Sequence, residues 1–453
     1  MPLKLPIIDA RQPGYMKALD ALRQQLSPSG NIVSERGREL TLRVFGQPLT
    51  PGQVVERICT EVRESGRVAV ARYAQALDGA ELSCDSLALP ESRLREAHAA
   101  AAPALLQAVR AIAHNVRAFQ QAILHRDVRF EPHRGVRLDQ RYVPLDRIGI
   151  CVPGGAAAYP STVMMTVVPA QVAGVKEIAI VAPPTSFGAF NTDVLATCYE
   201  LGVREIYPIG GAQAVAALAY GIEGLKRVDK IVGPGNLFVA LAKKFVFGDV
   251  DIDSIAGPSE VVVIADDTTR ADFVAADMLA QAEHSPGASI LITWDAALPG
   301  RVDHELDKQI SSLSRCELTR QSLQAFGCTI LVRDADQACE VTDAIAPEHL
   351  HIACRRPREL AQQIRHAGAT FLGDYSPVAV GDYAAGPSHV LPTGGTARWA
   401  AGLSANSFLR SGSVIEFSAV ALQTIAPVVA EIADREGLTA HKHSVTIRTQ
   451  HLT

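Results

Sequence analysis

The 453-residue sequence lacks the marks of several large classes of protein. Its eight cysteines include no C-x-x-C pair, which fits a reduced, cytoplasmic setting better than a disulfide scaffold. No stretch approaches the roughly 18 to 20 consecutive apolar residues that a membrane span needs. The first stretch, MPLKLPIIDARQPGYMKALDAL, has no basic-then-apolar pattern, so we expect no signal peptide. We therefore expect a soluble cytoplasmic protein that has no membrane partner.

An excess of positive charge is also absent. The formal net charge is −5, whereas nucleic acids and anionic membranes usually require a basic surface on their partner. We find no low-complexity tract and no internal repeat. With 48% hydrophobic and 20% charged residues, the composition is that of an ordinary globular protein. Because domains usually have about 100 to 200 residues, we expect two or more domains. From the net charge, we expect no nucleic-acid partner.

Hydrophobic patterning divides the chain into a helical part and a mixed part. Most of the first 130 residues carry apolar residues at helical spacing, and Pro51 stands where the first turn of one helix is expected. From residue 148, short β-branched runs such as EIAIVAPP and EVVVIAD alternate with helical patterns. Alternation of this kind predicts parallel sheets covered by helices. We therefore expect two α/β units, followed by a helical tail.

Three glycine turns follow predicted strands between residues 148 and 236. They are VPGG at 152–155, IGGAQ at 209–213 and VGPGN at 232–236, and each opens a helix. Ligands of open parallel sheets bind beyond the carboxyl ends of the strands, so these turns could hold the phosphates of a dinucleotide. The G-x-G-x-x-G fingerprint is missing, however, and plain connections explain the turns as well. Asn236 also fits the role of a helix N-cap.

Two polar residues stand where an apolar helix ends, in DMLAQAEHSPGAS. Gln281 and His284 are three positions apart and project from the same helical face, so both could reach one metal ion. An amide oxygen and an imidazole nitrogen without a thiolate suit zinc, manganese or cobalt. Histidine is also favoured near a helix C-terminus by the helix dipole, so capping of the helix end explains the pair as well.

Three further polar clusters lie at the ends of predicted elements, in AIAPEHLHIA, VGDYAAGPSHVLPT and EGLTAHKHSV. They contain, in chain order, Glu348 and His349, Asp382 and His389, and Glu436 and His441. An adjacent acid and base such as Glu348 and His349 is a common supply for proton transfer. Taken alone, each cluster also fits an ordinary surface loop.

Considered together, these motifs are more specific. IAGPSEVVVIAD, LAQAEH, APEHL, GDYAAGPSHVLPT and EGLTAHKHSV occur in this order and resemble the histidinol dehydrogenase family, and VPGG, GGAQAVAALAYG and GPGN resemble its nucleotide-binding half. The resemblance runs from about residue 30 to the end. It implies an α/β fold with two Rossmann-like parallel-sheet domains, an N-terminal helical segment and a C-terminal helical tail exchanged in a homodimer.

The resemblance also implies a domain division. The N-terminal helical segment would be 1–32, and the first α/β domain, with the metal and catalytic residues, would be 33–147 plus 258–395. The second α/β domain, 148–257, would bind NAD, and the tail, 396–453, would contribute to the partner's site. The implied enzyme depends on zinc. It oxidises L-histidinol through L-histidinaldehyde to L-histidine and reduces two NAD+, in the last steps of histidine biosynthesis.

The family's functional residues fall on matching positions of this sequence. The implied zinc ligands are Gln281, His284, Asp382 and His441, the last of which would serve the neighbouring subunit's site. The implied substrate contacts are these four residues together with Ser259, His349, His389 and Glu436. The implied NAD contacts are Cys151, Gln213 and Asn236.

Each catalytic residue has an expected role. His349 would remove the hydroxyl proton, and Glu348 would activate the water that hydrates the aldehyde. Glu436 would pair with a cationic nitrogen of the substrate. The family often has tyrosine where this chain has Cys151, so one contact to the nucleotide would be missing. We do not expect Cys151 to act as a nucleophile, because metal, base and water already account for the reaction.

Three alternatives stay open at this point. A relative with the same fold and metal could oxidise a different primary alcohol. A metallohydrolase would use the same polar residues without a nucleotide, and its glycine turns would be plain connections. An inactive regulator would bind NAD without turnover, although none of the expected ligands or bases is replaced in this sequence.

Overall fold

The fold is built on two parallel β-sheets, seen in a computed structural model that describes residues 3–26, 35–82, 86–155, 157–284 and 287–450. The strands of the first sheet are β4 (Arg147–Cys151), β5 (Glu177–Val181), β6 (Glu205–Tyr207), β7 (Lys230–Val232) and β8 (Asp251–Ile252). They lie in the order β6-β5-β4-β7-β8, and all are parallel. Helices α7 (Pro160–Ala173), α8 (Thr192–Glu200), α9 (Gly211–Tyr220) and α10 (Leu237–Val246) connect them.

The second sheet has six parallel strands. They are β1 (Ile7–Asp9), β9 (Ser259–Ala265), β10 (Gly287–Thr293), β11 (Gly327–Leu331), β12 (His349–Ala353) and β13 (Ala369–Leu372), in the order β1-β11-β10-β9-β12-β13. The accompanying helices are α1 (Tyr15–Leu26), α11 (Ala271–Ala282), α12 (Leu298–Ile310), α13 (Cys316–Phe326), α14 (Ala335–Ile345), α15 (Pro357–Ala361) and α16 (Val378–Tyr383). Every residue of β10 and of β12 is buried, as expected when helices cover both faces of a parallel sheet.

The helices between residues 35 and 123 cover the five-stranded sheet. They are α2 (Glu35–Phe45), α3 (Pro51–Ser65), α4 (Arg67–Tyr73), a π-helical turn (Ala74–Asp78), α5 (Glu91–Ala100) and α6 (Pro103–Ile123). Helix α3 begins at Pro51 as predicted, because Thr50 and Gln53 form a capping box around that end. Val55 and Ile58 of α3 share a buried cluster with Val181 of β5, and Val116 of α6 shares another with Ile150 of β4.

A third sheet is antiparallel and leads into the C-terminal tail. It contains β2 (Val128–Phe130), β3 (Val136–Pro144) and β14 (Leu409–Phe417), in the order β14-β3-β2. Short 3-10 turns (Thr396–Arg398 and Ala405–Phe408) precede β14. Helices α17 (Ala419–Arg435) and α18 (Thr439–Thr449) follow it and pack on each other as a C-terminal hairpin.

The predicted α/β fold with two parallel sheets is confirmed, but two details differ. The N-terminal segment predicted as helical contains β1, which pairs with β11, and the predicted helical tail contains β14, which pairs with β3. The helices from 51 to 123 share buried clusters with strands of the five-stranded sheet. The domain limits themselves stay a prediction. Within the described ranges, no helix has the length and apolar character needed to cross a membrane.

Candidate active site

Six of the predicted polar residues line a cavity of about 250 Å³ between the two parallel sheets, namely Ser259, His284, Glu348, His349, Asp382 and His389. The five-stranded sheet contributes the turns after the carboxyl ends of β4, β7 and β8. The six-stranded sheet contributes the amino ends of β9 and β12, where Ser259 and His349 are the first residues of their strands. Asp382 and His389, at and just after the end of α16, line the remaining wall. The site therefore combines the carboxyl edge of one sheet with the amino edge of the other.

A chain of hydrogen bonds orders the first group of side chains. The Gln281 amide nitrogen donates to Ser259 Oγ over 2.7 Å, and the Ser259 hydroxyl donates to Glu348 Oε2 over 2.6 Å. Because the amide nitrogen of Gln281 is bonded to Ser259, the amide oxygen is the atom of this side chain that is left to bind a ligand or a metal ion. Burial raises the pKa of Glu348, and His349, Ser259 and the Glu260 N–H oppose that effect without cancelling it.

His349 is the most enclosed base of the site, at 3% exposure. Its Nδ1 is 3.1 Å from the Glu260 backbone oxygen, to which a protonated Nδ1 donates. Its Nε2 is buried and has no hydrogen-bond partner among the described residues, although Asp382 Oδ1 lies 3.5 Å away. Burial alone would lower the pKa of His349, but the carboxylates of Glu348 and Asp382 outweigh it and raise the pKa to about 9. The imidazole thus presents Nε2 to the cavity.

Asp382 and His389 form the opposite wall. His389 Nδ1 lies 2.9 Å from the backbone oxygen of Asp382, which fixes the two residues relative to each other. Burial would raise the pKa of the Asp382 carboxyl, but His349, His389 and His284 act together to lower it. Burial, in turn, lowers the pKa of His389 despite its neighbour Asp382. Asp382 is accordingly a carboxylate, and His389 a neutral imidazole, at neutral pH.

Gln281 and His284 lie near each other, although only Gln281 is within the helix. Helix α11 ends at Ala282, and the His284 N–H donates to the Gln281 backbone oxygen over 3.2 Å in the turn that follows. His284 is exposed and lines the cavity with Ser259 and Asp382. Ser285 and Pro286, which follow His284 in the sequence, lie outside the described residues.

The structure does not bring every predicted residue to the cavity. Glu436 and His441 are exposed on the C-terminal hairpin, and no described hydrogen bond or ion pair links them to the cavity. In the described part of the chain, no three His, Cys, Asp or Glu side chains are grouped so that they could hold a metal ion. His284 and Asp382 line the cavity, and Gln281 is bonded to Ser259 in its wall. An imidazole nitrogen, a carboxylate oxygen and an amide oxygen are donors of kinds that zinc accepts, and they are one fewer than the usual four.

The glycine turn after β7 is held in place by a buried ion pair. Lys243 and Asp253 form that pair, and their side chains are 3% and 4% exposed. Lys243 Nζ donates to the Gly233 oxygen over 3.0 Å, and the Gly233 N–H donates to Asp253 Oδ2 over 2.7 Å. Gly233 has φ +101°, and a Cβ there would lie 2.3 Å from the Cys151 oxygen. Only glycine fits this position, so the turn is a rigid backbone surface facing the cavity.

The three predicted NAD contacts lie around the same edge of the five-stranded sheet but differ in exposure. Cys151 is buried in β4, and burial raises the pKa of its thiol to about 12, which agrees with its expected lack of nucleophilic reactivity. Gln213 is 1% exposed, donates to Asp78 over 3.1 Å, and leaves its Oε1 without a partner among the described residues. Asn236 is exposed and caps α10 by accepting from Phe238 and Val239, so its side-chain oxygen is occupied as an N-cap.

A second, larger cavity of about 600 Å³ opens on the other side of His349, Asp382 and His389. Its outer wall is largely apolar and includes Tyr375, which is 93% exposed, and Val380, which is 45% exposed. Both cavities are therefore lined by His349, the proposed base, and by Asp382, a proposed metal ligand. The larger cavity reaches the surface.

Sequence reasoning missed two groups that shape this site. Glu260 is fully buried beside Ser259, and the pair Lys243 and Asp253 supports the Gly233 turn. A signal for Glu260 existed, since an acidic residue begins the otherwise apolar strand EVVVIA. The Lys243–Asp253 pair carries no local signal, because the two residues lie on different elements and meet only in the fold.

Comparisons with known proteins show which family the chain resembles. The family model described as histidinol dehydrogenase matches residues 50–449. A histidinol dehydrogenase of Rhodopirellula baltica is 63% identical over 446 residues, which is 98% of this chain and 97% of the relative. One of Geobacillus kaustophilus is 46% identical over 87% of this chain and 92% of its own length. The crystal structure of histidinol dehydrogenase from Elizabethkingia anophelis has a TM-score of 0.88 at 31% identity and covers 99% of this chain and 98% of its own. The chain therefore belongs to the histidinol dehydrogenase family of oxidoreductases.

Proposed function

We propose that this protein oxidises L-histidinol through L-histidinaldehyde to L-histidine, with zinc and two molecules of NAD+. The observation that carries the proposal is that Ser259, Glu348, His349 and Asp382 line one cavity together with the Gly233 turn, with Gln281 bonded to Ser259. Membership of the histidinol dehydrogenase family supports the same activity. The seven described cysteines are free thiols, which fits the reduced, cytoplasmic setting that we also propose.

The donor set of the cavity fits zinc. Gln281 would supply its amide oxygen, His284 an imidazole nitrogen and Asp382 a carboxylate oxygen, and His441 of a second subunit would complete four ligands. When bound, the metal would orient the amine and imidazole of the substrate beside the nicotinamide. Coordination of Asp382 would also withdraw negative charge from His349, and this favours the neutral imidazole that a base requires.

The residues of the chain divide the remaining work. His349 presents Nε2 to the cavity and takes the hydroxyl proton as the C–H hydride passes to NAD+. The aldehyde must then be hydrated before a second hydride can leave. Glu348 activates that water, because its Oε2 is engaged by Ser259 and Glu260 and its carboxylate is therefore held in one orientation. Ser259 and His389 provide further hydrogen bonds to the substrate.

The Gly233 turn is the part of the wall best suited to the nucleotide. Its backbone is fixed by Lys243 and Asp253, and it follows the carboxyl end of a parallel strand, where phosphates commonly bind. Gln213 and Asn236 stay as proposed NAD contacts on the neighbouring turns. The unpartnered Oε1 of Gln213 supports a polar role there.

A homodimer with shared sites accounts for the exposed C-terminal hairpin. Val420, Val428 and Ile432 of α17 are 73%, 58% and 56% exposed, which is an unusual apolar surface for a helix facing water. Glu436 and His441 lie at the turn before α18 and at its start, so a partner's hairpin could bring both to the cavity that His284 and Asp382 line. We propose that the partner's Glu436 pairs there with a cationic nitrogen of the substrate.

A substrate panel tests the proposed activity. We expect kcat/KM for NAD+ reduction to be highest with L-histidinol and to fall at least about 100-fold with amino alcohols that lack the imidazole, because buried polar groups would lose their partner. An alcohol without the amine serves as the second control. Oxidation of another alcohol in preference to histidinol would overturn the substrate assignment, and the absence of NADH with every alcohol would overturn the dehydrogenase activity itself.

A further inference from the structure

Glu260 is a buried carboxyl that the proposed reaction does not use. It is the second residue of β9, directly after Ser259, and its side chain is fully buried at 0% exposure. It lines neither of the two cavities that meet at His349. A buried carboxyl without a partner would be costly, so its contacts indicate why it is there.

Glu260 and Glu348 exchange hydrogen bonds with each other's backbone. The Glu260 N–H donates to Glu348 Oε2 over 3.0 Å, and the Glu348 N–H donates to Glu260 Oε1 over 3.2 Å. The Glu348 carbonyl accepts from the Ala369 N–H over 2.8 Å. Both polar backbone groups and the carboxylate of Glu348 are therefore fixed, and Glu260 supplies two of these three contacts.

Glu260 also fastens the loop that follows His389. The Gly394 N–H donates to Glu260 Oε1 over 3.0 Å and lies 3.2 Å from Oε2. A second bond ties the same loop to the segment before β9, since the Gly257 N–H donates to Thr393 Oγ1 over 2.6 Å. The loop thus has two anchors, of which only Glu260 also touches Glu348.

The charges of the two carboxyls are compatible with this arrangement. Burial, followed by the nearby Glu348, raises the pKa of Glu260 to about 8, opposed by the N–H groups of Gly394 and Glu348. Two buried carboxylates in contact would repel each other, so a neutral Glu260 leaves the negative charge on Glu348. A neutral acid keeps the carbonyl oxygen that accepts from the two N–H groups.

We propose that Glu260 is a positioning residue that holds the Glu348 carboxylate in the orientation needed for the second oxidation. This inference rests on the proposed function, in which Glu348 activates water. The side chain of Glu260 acts on the backbone of Glu348, whereas His349 is aligned by the backbone oxygen of Glu260. A side-chain substitution therefore removes the acceptor of the Glu348 N–H, and it leaves the backbone hydrogen bonds of Glu260 to Glu348 Oε2 and to His349.

Two substitutions separate the roles of the oxygen and of the charge. Glu260→Gln keeps an oxygen acceptor and should oxidise histidinaldehyde within about 3-fold of the wild-type rate. Glu260→Leu removes both oxygens and leaves the N–H groups of Glu348 and Gly394 without their acceptor. For the leucine variant we expect oxidation of histidinaldehyde by NAD+ to fall about 10- to 100-fold, since a small misplacement of a reacting group has effects of that size.

Reduction of histidinaldehyde by NADH provides the internal comparison. It reverses the first oxidation and needs no hydrated aldehyde, so we expect it to fall less than about 5-fold in Glu260→Leu. Thr393→Val is the matched control, because it releases the other anchor of the same loop. If loop anchoring alone mattered, the valine variant would reproduce the selective loss. We expect it to affect both directions equally.

A measurement without substrate tests the contact directly. Amide hydrogen exchange of Glu348 and Gly394 should be slow in the wild type and in Glu260→Gln, and faster in Glu260→Leu. Equal loss of both directions, or unchanged exchange at Glu348 in the leucine variant, would overturn the inference. If Glu260→Leu does not fold, a selective loss of aldehyde oxidation in folded Glu260→Gln would overturn it as well. A wild type without histidinol turnover would instead reject the proposed function, while the exchange experiment would still decide the role of Glu260.

Discussion

At the scale of single residues, the site is defined by which atom of each side chain is already engaged. Ser259 uses its hydroxyl hydrogen on Glu348 and accepts from Gln281, so three functional residues are oriented by two bonds. His349 has one nitrogen facing the Glu260 oxygen and the other facing the cavity. Because these bonds form before substrate arrives, little reorganisation is needed when the reaction begins.

Glu348→Gln tests the division of labour between the two acid–base residues. The amide cannot activate water, but the first oxidation requires only His349. We expect oxidation of histidinaldehyde by NAD+ to fall at least about 100-fold and reduction of histidinaldehyde by NADH to change by less than about 10-fold. Steady-state rates in the two directions check this. Equal losses in both would show that Glu348 has no special role in the hydration step.

The sequence predicts those site residues that belong to a recognisable motif, but it does not predict contacts between residues that are far apart in the chain. Gln281, His284 and Asp382 were assigned through motifs, although from the residues alone a capping role explained Gln281 and His284 as well. The geometry of Glu260 could not be predicted, because its partners, Glu348 and Gly394, are 88 and 134 positions away in the sequence. Their contact depends on how β9 and β12 are paired.

At the scale of elements, the site depends on two sheets that present opposite edges. Strands β9 and β12 are neighbours in parallel register, with His349 opposite Val261, so Ser259 and Glu348 lie at the same edge. The carboxyl ends of β4 and β7 face them across the cavity. The turns that we propose for the nucleotide and the residues that we propose for acid–base catalysis therefore come from different sheets.

Most helices and strands could be predicted because their apolar residues form clear runs or recur at regular spacing. Runs such as EIAIV and SILIT are long enough to show a buried strand, and α3 has an N-terminal capping box. Strand β1 has three residues, too few for any period, and it forms only through its pairing with β11. Strand β14 directly precedes the helix α17, and its pairing with β3 joins residues more than 260 positions apart.

The junction of α5, α6 and α8 yields a prediction about stability and pH. Glu200 accepts from Arg110 and His98, which lower the pKa of its carboxyl from 4.5 to about 2. A lowered pKa stabilises the fold above the unfolded value, and this stabilisation is lost as the pH falls from about 4.5 towards 2. Since Arg110 is well exposed, we expect Glu200→Gln to reduce the free energy of unfolding at pH 7 by only about 1 kcal/mol.

Urea denaturation at a series of pH values checks this expectation. The difference between Glu200→Gln and the wild type should be constant from about pH 7 to pH 5 and should shrink below about pH 4. Glu359→Gln is a suitable control, because Glu359 makes only an exposed i,i+3 ion pair with Arg356. A difference that stayed constant to pH 3 would argue against a depressed pKa of Glu200.

At the scale of the whole molecule, one chain builds an incomplete site. His284 and Asp382 line the cavity and Gln281 is bonded to Ser259 in its wall, whereas Glu436 and His441 are exposed on the C-terminal hairpin. A homodimer that exchanges these hairpins would complete two identical sites by twofold symmetry. The sequence predicted the exchange only through the family resemblance, because no local pattern shows which chain a helix will contact.

Hybrid dimers test whether sites are shared. A His441→Ala chain lacks the ligand that it offers to its partner, and a His284→Ala chain lacks one in its own cavity. Each homodimer should be inactive, whereas a hybrid contains one intact site. With random exchange of equal amounts, we expect about a quarter of the wild-type activity to return. Subunit exchange is first demonstrated, for example by native mass spectrometry of tagged chains. If activity then fails to recover, a shared site is excluded.

The central claim is a four-electron oxidation at a metal site, and one stoichiometric measurement tests it most directly. Limiting L-histidinol is converted to completion with excess NAD+, and NADH and histidine are quantified before chelation, after chelation and after zinc is restored. The account predicts two NADH and one histidine per histidinol, loss of turnover without the metal and recovery with zinc. One NADH per histidinol with release of the aldehyde, or full turnover by protein shown to be free of metal, would contradict it.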